Sequence, residues 1–405
     1  MIRSGPSVVD MTSRTPILSR PLLLRCVSIV ACAVGFYLPL AVIPMFAAAE
    51  GSDTGAGLAN GALLLATVAA ELATPRLLSR IGYRWALTLG LLLLGAPALV
   101  LLASPSFAII LAVNATRGVG FAITVTAGGA LTAALIPEDR RGEGLAIVGL
   151  VGGIPALLAL PFGPWAVGHW GYEAVFVLTA AVPLLAIATV PGLPGRDPGA
   201  GGEHGVARSL RNGRLMRPAV IFAASASAAG VLVTYLPLAV AGLAGWVVPA
   251  ALFLQPAAST LGRWFAGRIG DRRGQTRLLV PGVALSVLGM TAMAATASSV
   301  LVVAGATAFG VGFGVLQNAT LSLMYARVPA AGFGAVSALW NAAYDVGMGA
   351  GAIAVGFLVA GLGFGPAFLL TAASMLPALV LARRESEPEA DQPHTVPADQ
   401  CPVAA

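Results

Sequence analysis

Three ionisable side chains lie well inside long apolar runs of this chain: Glu71, Arg117 and Asp345. A charge at that depth in hydrocarbon costs about 2.5–3.5 kcal/mol, so such groups face a cavity, a partner or a proton path. Asp345 closes the stretch Trp340-Asn341-Ala342-Ala343-Tyr344-Asp345, twelve residues into its run. Ionisation of a carboxyl is costly there and a proton relieves the cost, which makes Asp345 the first candidate for proton coupling. Arg117 can hold an anion or tune a carboxyl. Glu71 sits nearer the end of its run and is a candidate for gating or coupling. The alternative reading of each is a structural polar contact between helices. No other chemistry is offered. There is no Gly-Lys-Ser/Thr phosphate loop, and His169, His204 and His394 lack metal-ligand spacing. Cys26, Cys32 and Cys401 make an odd count with no disulfide framework. Neither catalysis nor a metal or cofactor is expected.

The elements that must position these residues are organised around Gly262-Arg263-Trp264-Phe265-Ala266-Gly267-Arg268-Ile269-Gly270-Asp271-Arg272-Arg273-Gly274. An apolar run stops there in a burst of arginine, and another starts at Leu278. A faded copy, Pro75-Arg76-Leu77-Leu78-Ser79-Arg80-Ile81-Gly82, lies 192 residues earlier, so Arg76, Arg80 and Gly82 pair with Arg268, Arg272 and Gly274. At the same offset Gly118-Val119-Gly120-Phe121 matches Gly310-Val311-Gly312-Phe313, Pro137 matches Pro329, and Phe176 to Ala181 matches Phe368 to Ala373. Tyr37-Leu38-Pro39-Leu40-Ala41-Val42 recurs identically as Tyr235 to Val240 at an offset of 198, which puts a length change near Glu50–Gly55. These ordered matches indicate a tandem duplication.

Of the 405 residues 58% are hydrophobic and only 10% charged, too few charges to clothe a soluble domain. At about 20 residues per membrane crossing the chain reads as twelve spans. They cover 22–48, 57–78, 84–104, 106–135, 144–168 and 172–192, then 218–241, 246–268, 277–298, 300–326, 333–360 and 364–382. Residues 1–21 form an N-terminal segment without a convincing signal peptide (Met1 or Met11 could be the start), 193–217 a polar linker, and 383–405 a tail expected to be disordered. All 23 basic residues are arginines, and all but Arg117 fall on one side if both termini are inside. That asymmetry predicts cytoplasmic termini in the cell membrane. It also accounts for the net charge of +6 without nucleic acid.

Twelve spans in two copies joined by a basic linker resemble the major facilitator superfamily, and Gly267-Arg268-Ile269-Gly270-Asp271-Arg272-Arg273-Gly274 resembles its signature loop. The first-half copy departs from that loop, with Pro75 for the glycine and Ser79 for the aspartate. The resemblance implies an all-α integral membrane fold of two pseudo-symmetric six-helix bundles, 22–192 and 218–382. It implies a gating role for Gly267, Arg268, Asp271, Arg272, Gly274, Ser79, Arg80 and Gly82, with Asp271 near the start of span five around Arg141–Gly144. Spans one, four, seven and ten would line a central cavity with Tyr37, Asn114, Arg117, Tyr235, Gln317 and Asn318. Arg117 resembles an arginine that proton-driven exporters carry in span four. Span five offers Gly149, Gly153, Pro155, Pro161, Gly163 and Pro164, the residue types of an exporter signature with different spacing. The expected function is proton-coupled efflux of a small lipophilic molecule by a monomer using alternating access. The alternative is import or proton symport of a small organic solute.

Overall fold

A computed structural model describes residues 19–50, 53–136, 141–195, 213–328 and 333–386. Backbone polar groups cannot stay unpaired in hydrocarbon, so apolar runs of this length fold as helices. In chain order these are α1 (Arg20–Tyr37), α2 (Val42–Ala49), α3 (Asp53–Gly95), α4 (Phe107–Leu135), α5 (Arg141–Ala186) and α6 (Gly213–Ala239). Then come α7 (Val247–Arg273), α8 (Leu279–Met293), α9 (Ser299–Tyr325), α10 (Phe333–Leu362), α11 (Phe364–Ser374) and α12 (Leu376–Ser386). Among the described residues there is no strand.

Among the described residues ten stretches are long and apolar enough to cross a membrane. One of them, Ile147–Gly192, has 46 residues and breaks at Gly171, so it holds two crossings. Helix α7 is as long as α6 and α9, with 27 residues, but ends in charge. Ten, one more for the break and α7 agree with the twelve expected. The first span differs from expectation in being bent: α1 ends at Tyr37, and a turn over 38–41 leads into α2. Pro39 and Pro44 cause this, because neither can donate to the carbonyl four residues back. The helices also run past two expected boundaries, since α6 begins at Gly213 and α12 ends at Ser386. The last turn of α12 is held because Glu385 pairs with Arg327 after α9 and lies 3.9 Å from Arg217 on α6. The expected N-terminal segment 1–18, the linker core 196–212 and the tail 387–405 lie outside the described residues.

Among the described residues those with positive φ are all glycines: Gly82 (φ 74°), Gly171 (79°), Gly274 (88°) and Gly363 (78°). Gly171 and Gly363 are 192 apart, as are Gly82 and Gly274. The duplicated sequence therefore turns with the same backbone at the same places. Three of the four have ψ of 173–176°, a region that only glycine occupies without strain. Helix packing repeats too. Gly118 of α4 sits on the Leu63 carbonyl of α3, and Gly310 of α9 sits on the Gln255 carbonyl of α7, both partners again 192 apart. Small residues let membrane helices approach this closely.

Helix α3 packs on α4, α1 on α5, α6 on α10, and α9 on α7 and α8. Two extensive contacts join the first six spans to the last six, α3 with α10 and α5 with α7, and smaller ones of α2 and α3 with α6 add to them. Under the repeat the two extensive ones are one contact with the copies exchanged. The α3–α10 contact is the more extensive. It lies away from the arginine-rich turns, where Gly61 packs directly on Ile353.

Candidate functional site

Between α1, α5, α6, α7, α9 and α10 lies a cavity of about 880 Å³. Its two long walls differ in chemistry. The α5 wall, Val148 to Leu160, is apolar and rich in glycine. A second wall carries Gln255, Ser259, Arg263 and Gly267 of α7, with Gln317 and Asn318 of α9. Ser259 donates to the Gln317 amide oxygen at 3.3 Å, which fixes the two helices behind that wall. Tyr37, Trp264, Phe313 and Tyr344 complete the lining. Gly267 and Val148 lie towards the arginine-rich end of the molecule, so the cavity reaches that way.

Asp345 is not in the lining. It is buried beside it on α10, 6% exposed, next to the lining residue Tyr344 and three positions before the lining residue Met348. Glu71, half-buried on α3, is near enough for its charge to act on Asp345. The structure thus brings together two of the three ionisable residues singled out from sequence. Tyr344, next to Asp345 on α10, lines the cavity together with Tyr37 and Arg263. A proton arriving at this group would change the field inside the cavity.

Arg117 is elsewhere. It is 1% exposed and donates from its two terminal nitrogens to Asn114 Oδ1 and the Gly35 carbonyl, each at 2.8 Å. Asn114 in turn donates to the Ala59 carbonyl at 2.8 Å. Gly35 precedes Pro39 by four residues, so its carbonyl lacks a helical donor and the guanidinium supplies one. Of the expected lining residues, Tyr37, Gln317 and Asn318 face the cavity, whereas Asn114, Arg117 and Tyr235 do not. Their polar groups are engaged by backbone carbonyls between helices: the Tyr235 hydroxyl donates to the Ala352 carbonyl at 2.8 Å.

In the signature loop Gly267 belongs to the cavity wall, and Arg268 lies 4.0 Å over the ring of Trp264. Arg272 and Gly274 are exposed. The Asp271 side chain and those of Arg141 and Glu143 lie outside the described residues, and their expected contact with them. In the first copy Ser79 donates to the Arg76 carbonyl at 2.8 Å, Arg80 is exposed and Gly82 makes the buried turn.

Sequence reading missed Gln255, Ser259, Arg263, Trp264, Tyr344 and the α5 wall as cavity residues. A signal was present. Gln255, Ser259, Arg263 and Gly267 recur every four residues, which places them on one face of a helix.

A multi-pass helical membrane protein with a central cavity between two repeated sets of helices has the build of a transporter. The family model of the Major Facilitator Superfamily matches residues 25–352 and 242–405, and the chain belongs to that family. Among solved structures, the nucleoside transporter NupG superposes with a TM-score of 0.75 at 14% identity, over 91% of this chain and 99% of that one. A bacterial homologue of the human lysosomal transporter Spinster, inward-facing and occupied, gives 0.71 at 13% identity, over 90% of this chain and 94% of that one. At such identity the likeness is one of fold.

Proposed function

We propose that this member of the superfamily exports a small lipophilic molecule in exchange for protons by alternating access. The observation that carries the reading is the cavity itself, largely apolar and bordered by a buried carboxyl, Asp345, with Glu71 beside it. Alternating access needs a site whose protonation differs between two states, and a carboxyl held between α10, α3 and the cavity supports that role. The groups facing Asp345 are Glu71 on α3 and, across the lining, Tyr344 on its own helix and Tyr37 on α1. Residues 22–192 and 218–382 act as the two moving bodies. The arginine bias puts the cavity mouth on the cytoplasmic face, with Gly267 to Gly274 and Ser79 to Gly82 as its hinge turns. A mostly apolar wall favours a lipophilic cargo over a sugar.

The test is pH-gradient-driven flux of a lipophilic probe in proteoliposomes. Asp345→Asn mimics the protonated carboxyl and should abolish gradient-driven flux while sparing probe exchange and folding. Normal driven flux in that variant would remove Asp345 from the mechanism and make Glu71 the next candidate. Driven flux only in the direction of the proton gradient would replace export by import.

A further inference from the structure

We infer that the cargo of this cavity is an organic anion with an apolar body, its negative head seated on Arg263 and its body against α5. The inference rests on the transport reading above and adds the chemical class of what is carried.

Arg263 is the charge that a cargo meets. It lines the cavity and is exposed to it. Among the described residues it has no hydrogen-bond or ion-pair partner; the recorded ion pairs are those of Glu385 with Arg217 and Arg327. The acids nearest the cavity are set back from it, Asp345 being 6% exposed and outside the lining. Arg268, further along α7 and outside the lining, is stacked on Trp264. The cavity therefore presents a net positive point on an otherwise neutral polar wall. A guanidinium is a planar fork suited to two oxygens of one acidic group. The amide N–H groups of Gln317, whose oxygen is already taken by Ser259, can donate to the same head.

The body of the cargo is read from the other wall. Leu150, Ile154 and Leu157 offer only aliphatic surface, and Gly149, Gly152 and Gly153 flatten it. A flat or extended apolar body buries there with no polar group left unpaired. Trp264 and Tyr344 add ring faces between the two walls. A cationic amphiphile would meet Arg263 first and be repelled. A neutral one would leave the guanidinium with water alone.

Three probes sharing one body decide the matter: naphthalenesulfonate, naphthalenesulfonamide and naphthyltrimethylammonium. Equilibrium binding to the purified full-length protein should rank the sulfonate about tenfold or more above the other two, since a hydrogen bond to a charged group is strong. Arg263→Gln should erase the ranking and Arg263→Lys should keep part of it, with unchanged thermal unfolding as the check that an exposed position was altered without damage. Equal binding of the three probes, preference for the ammonium, or sulfonate affinity untouched by Arg263→Gln would overturn the inference. Its failure is separable from that of the transport reading. Gradient-driven flux of the sulfonamide without any charge preference leaves a transporter and sinks the anion. Arg263-dependent sulfonate binding with no driven flux of any probe leaves the anion site and sinks proton-coupled transport.

Discussion

Arg117 and Arg263 are the same residue type put to opposite uses. Arg263 stands free on a cavity wall, whereas Arg117 is 1% exposed and bonded to Gly35 and Asn114. Pro39 explains the second case, because it lacks the N–H that would close the helix on the Gly35 carbonyl. Arg117 then serves first to satisfy backbone. This makes a prediction in the form of a double-mutant cycle. Arg117→Met alone should lower stability by about 1.5–3 kcal/mol, the usual range for a buried hydrogen bond to a charged group. In a Pro39→Ala background, where the carbonyl regains a helical donor, the same change should cost clearly less. Thermal unfolding of the four proteins in detergent measures the coupling. Additive losses would mean that Arg117 does not answer to Pro39.

Helices here are separated by glycine turns rather than by long loops. Gly171 (φ 79°, ψ 173°) and Gly363 (φ 78°, ψ 176°) divide spans five from six and eleven from twelve. Nothing lies within 4 Å of where a methyl group would sit on either, so an alanine there pays no steric cost beyond its own backbone. Gly171→Ala and Gly363→Ala should each destabilise by about 1–3 kcal/mol through backbone strain alone. Gly168 has equal space but lies within the helical run, and Gly168→Ala should be neutral or stabilising. Differential scanning fluorimetry separates these outcomes. Equal melting temperatures for the three variants would show the turns to be dispensable. The polar face of α7 belongs to this scale too. Gln255, Ser259, Arg263 and Gly267 share one side because of helical geometry, and α9 anchors that side through Ser259 and Gln317.

Across the molecule, the end away from the arginine turns is closed by a polar latch among three helices. Asn60 of α3 donates both to the Leu40 carbonyl at 3.0 Å and to Thr234 Oγ1 of α6 at 2.9 Å. Leu40 precedes Pro44 by four residues, so its carbonyl is another one that a proline has freed. Asn60 thereby ties the bend of the first span to α6, and Tyr235 on α6 ties that helix to α10. In the alternating-access cycle proposed above this end has to open, and the latch would set part of the barrier. Asn60→Ala should shift the population towards an open far end. Spin labels at the exposed Glu50 and Gly242 should report a longer-distance component that grows in the variant. An unchanged distance distribution would relieve Asn60 of that role.

The membrane class, the helices and the places where they turn were legible in the amino-acid sequence. Hydrocarbon demands apolar segments of a set length, and glycine at an offset of 192 marks turns that no other residue makes without strain. Membership of the superfamily followed from those same residues. Which polar side chain faces the cavity was legible only in part, for Tyr37, Gln317 and Asn318. Asn114, Arg117 and Tyr235 turned to carbonyls between helices, while Gln255, Ser259, Trp264 and Tyr344 came to line the space. Nor was it evident that Glu71 and Asp345 would lie on helices that pack together, α3 and α10. A residue's type and its position in a run state the cost of burying it. Whether that cost is met by a freed carbonyl, a distant charge or an open cavity depends on which helix faces it, and only the packing of helices far apart in sequence decides that.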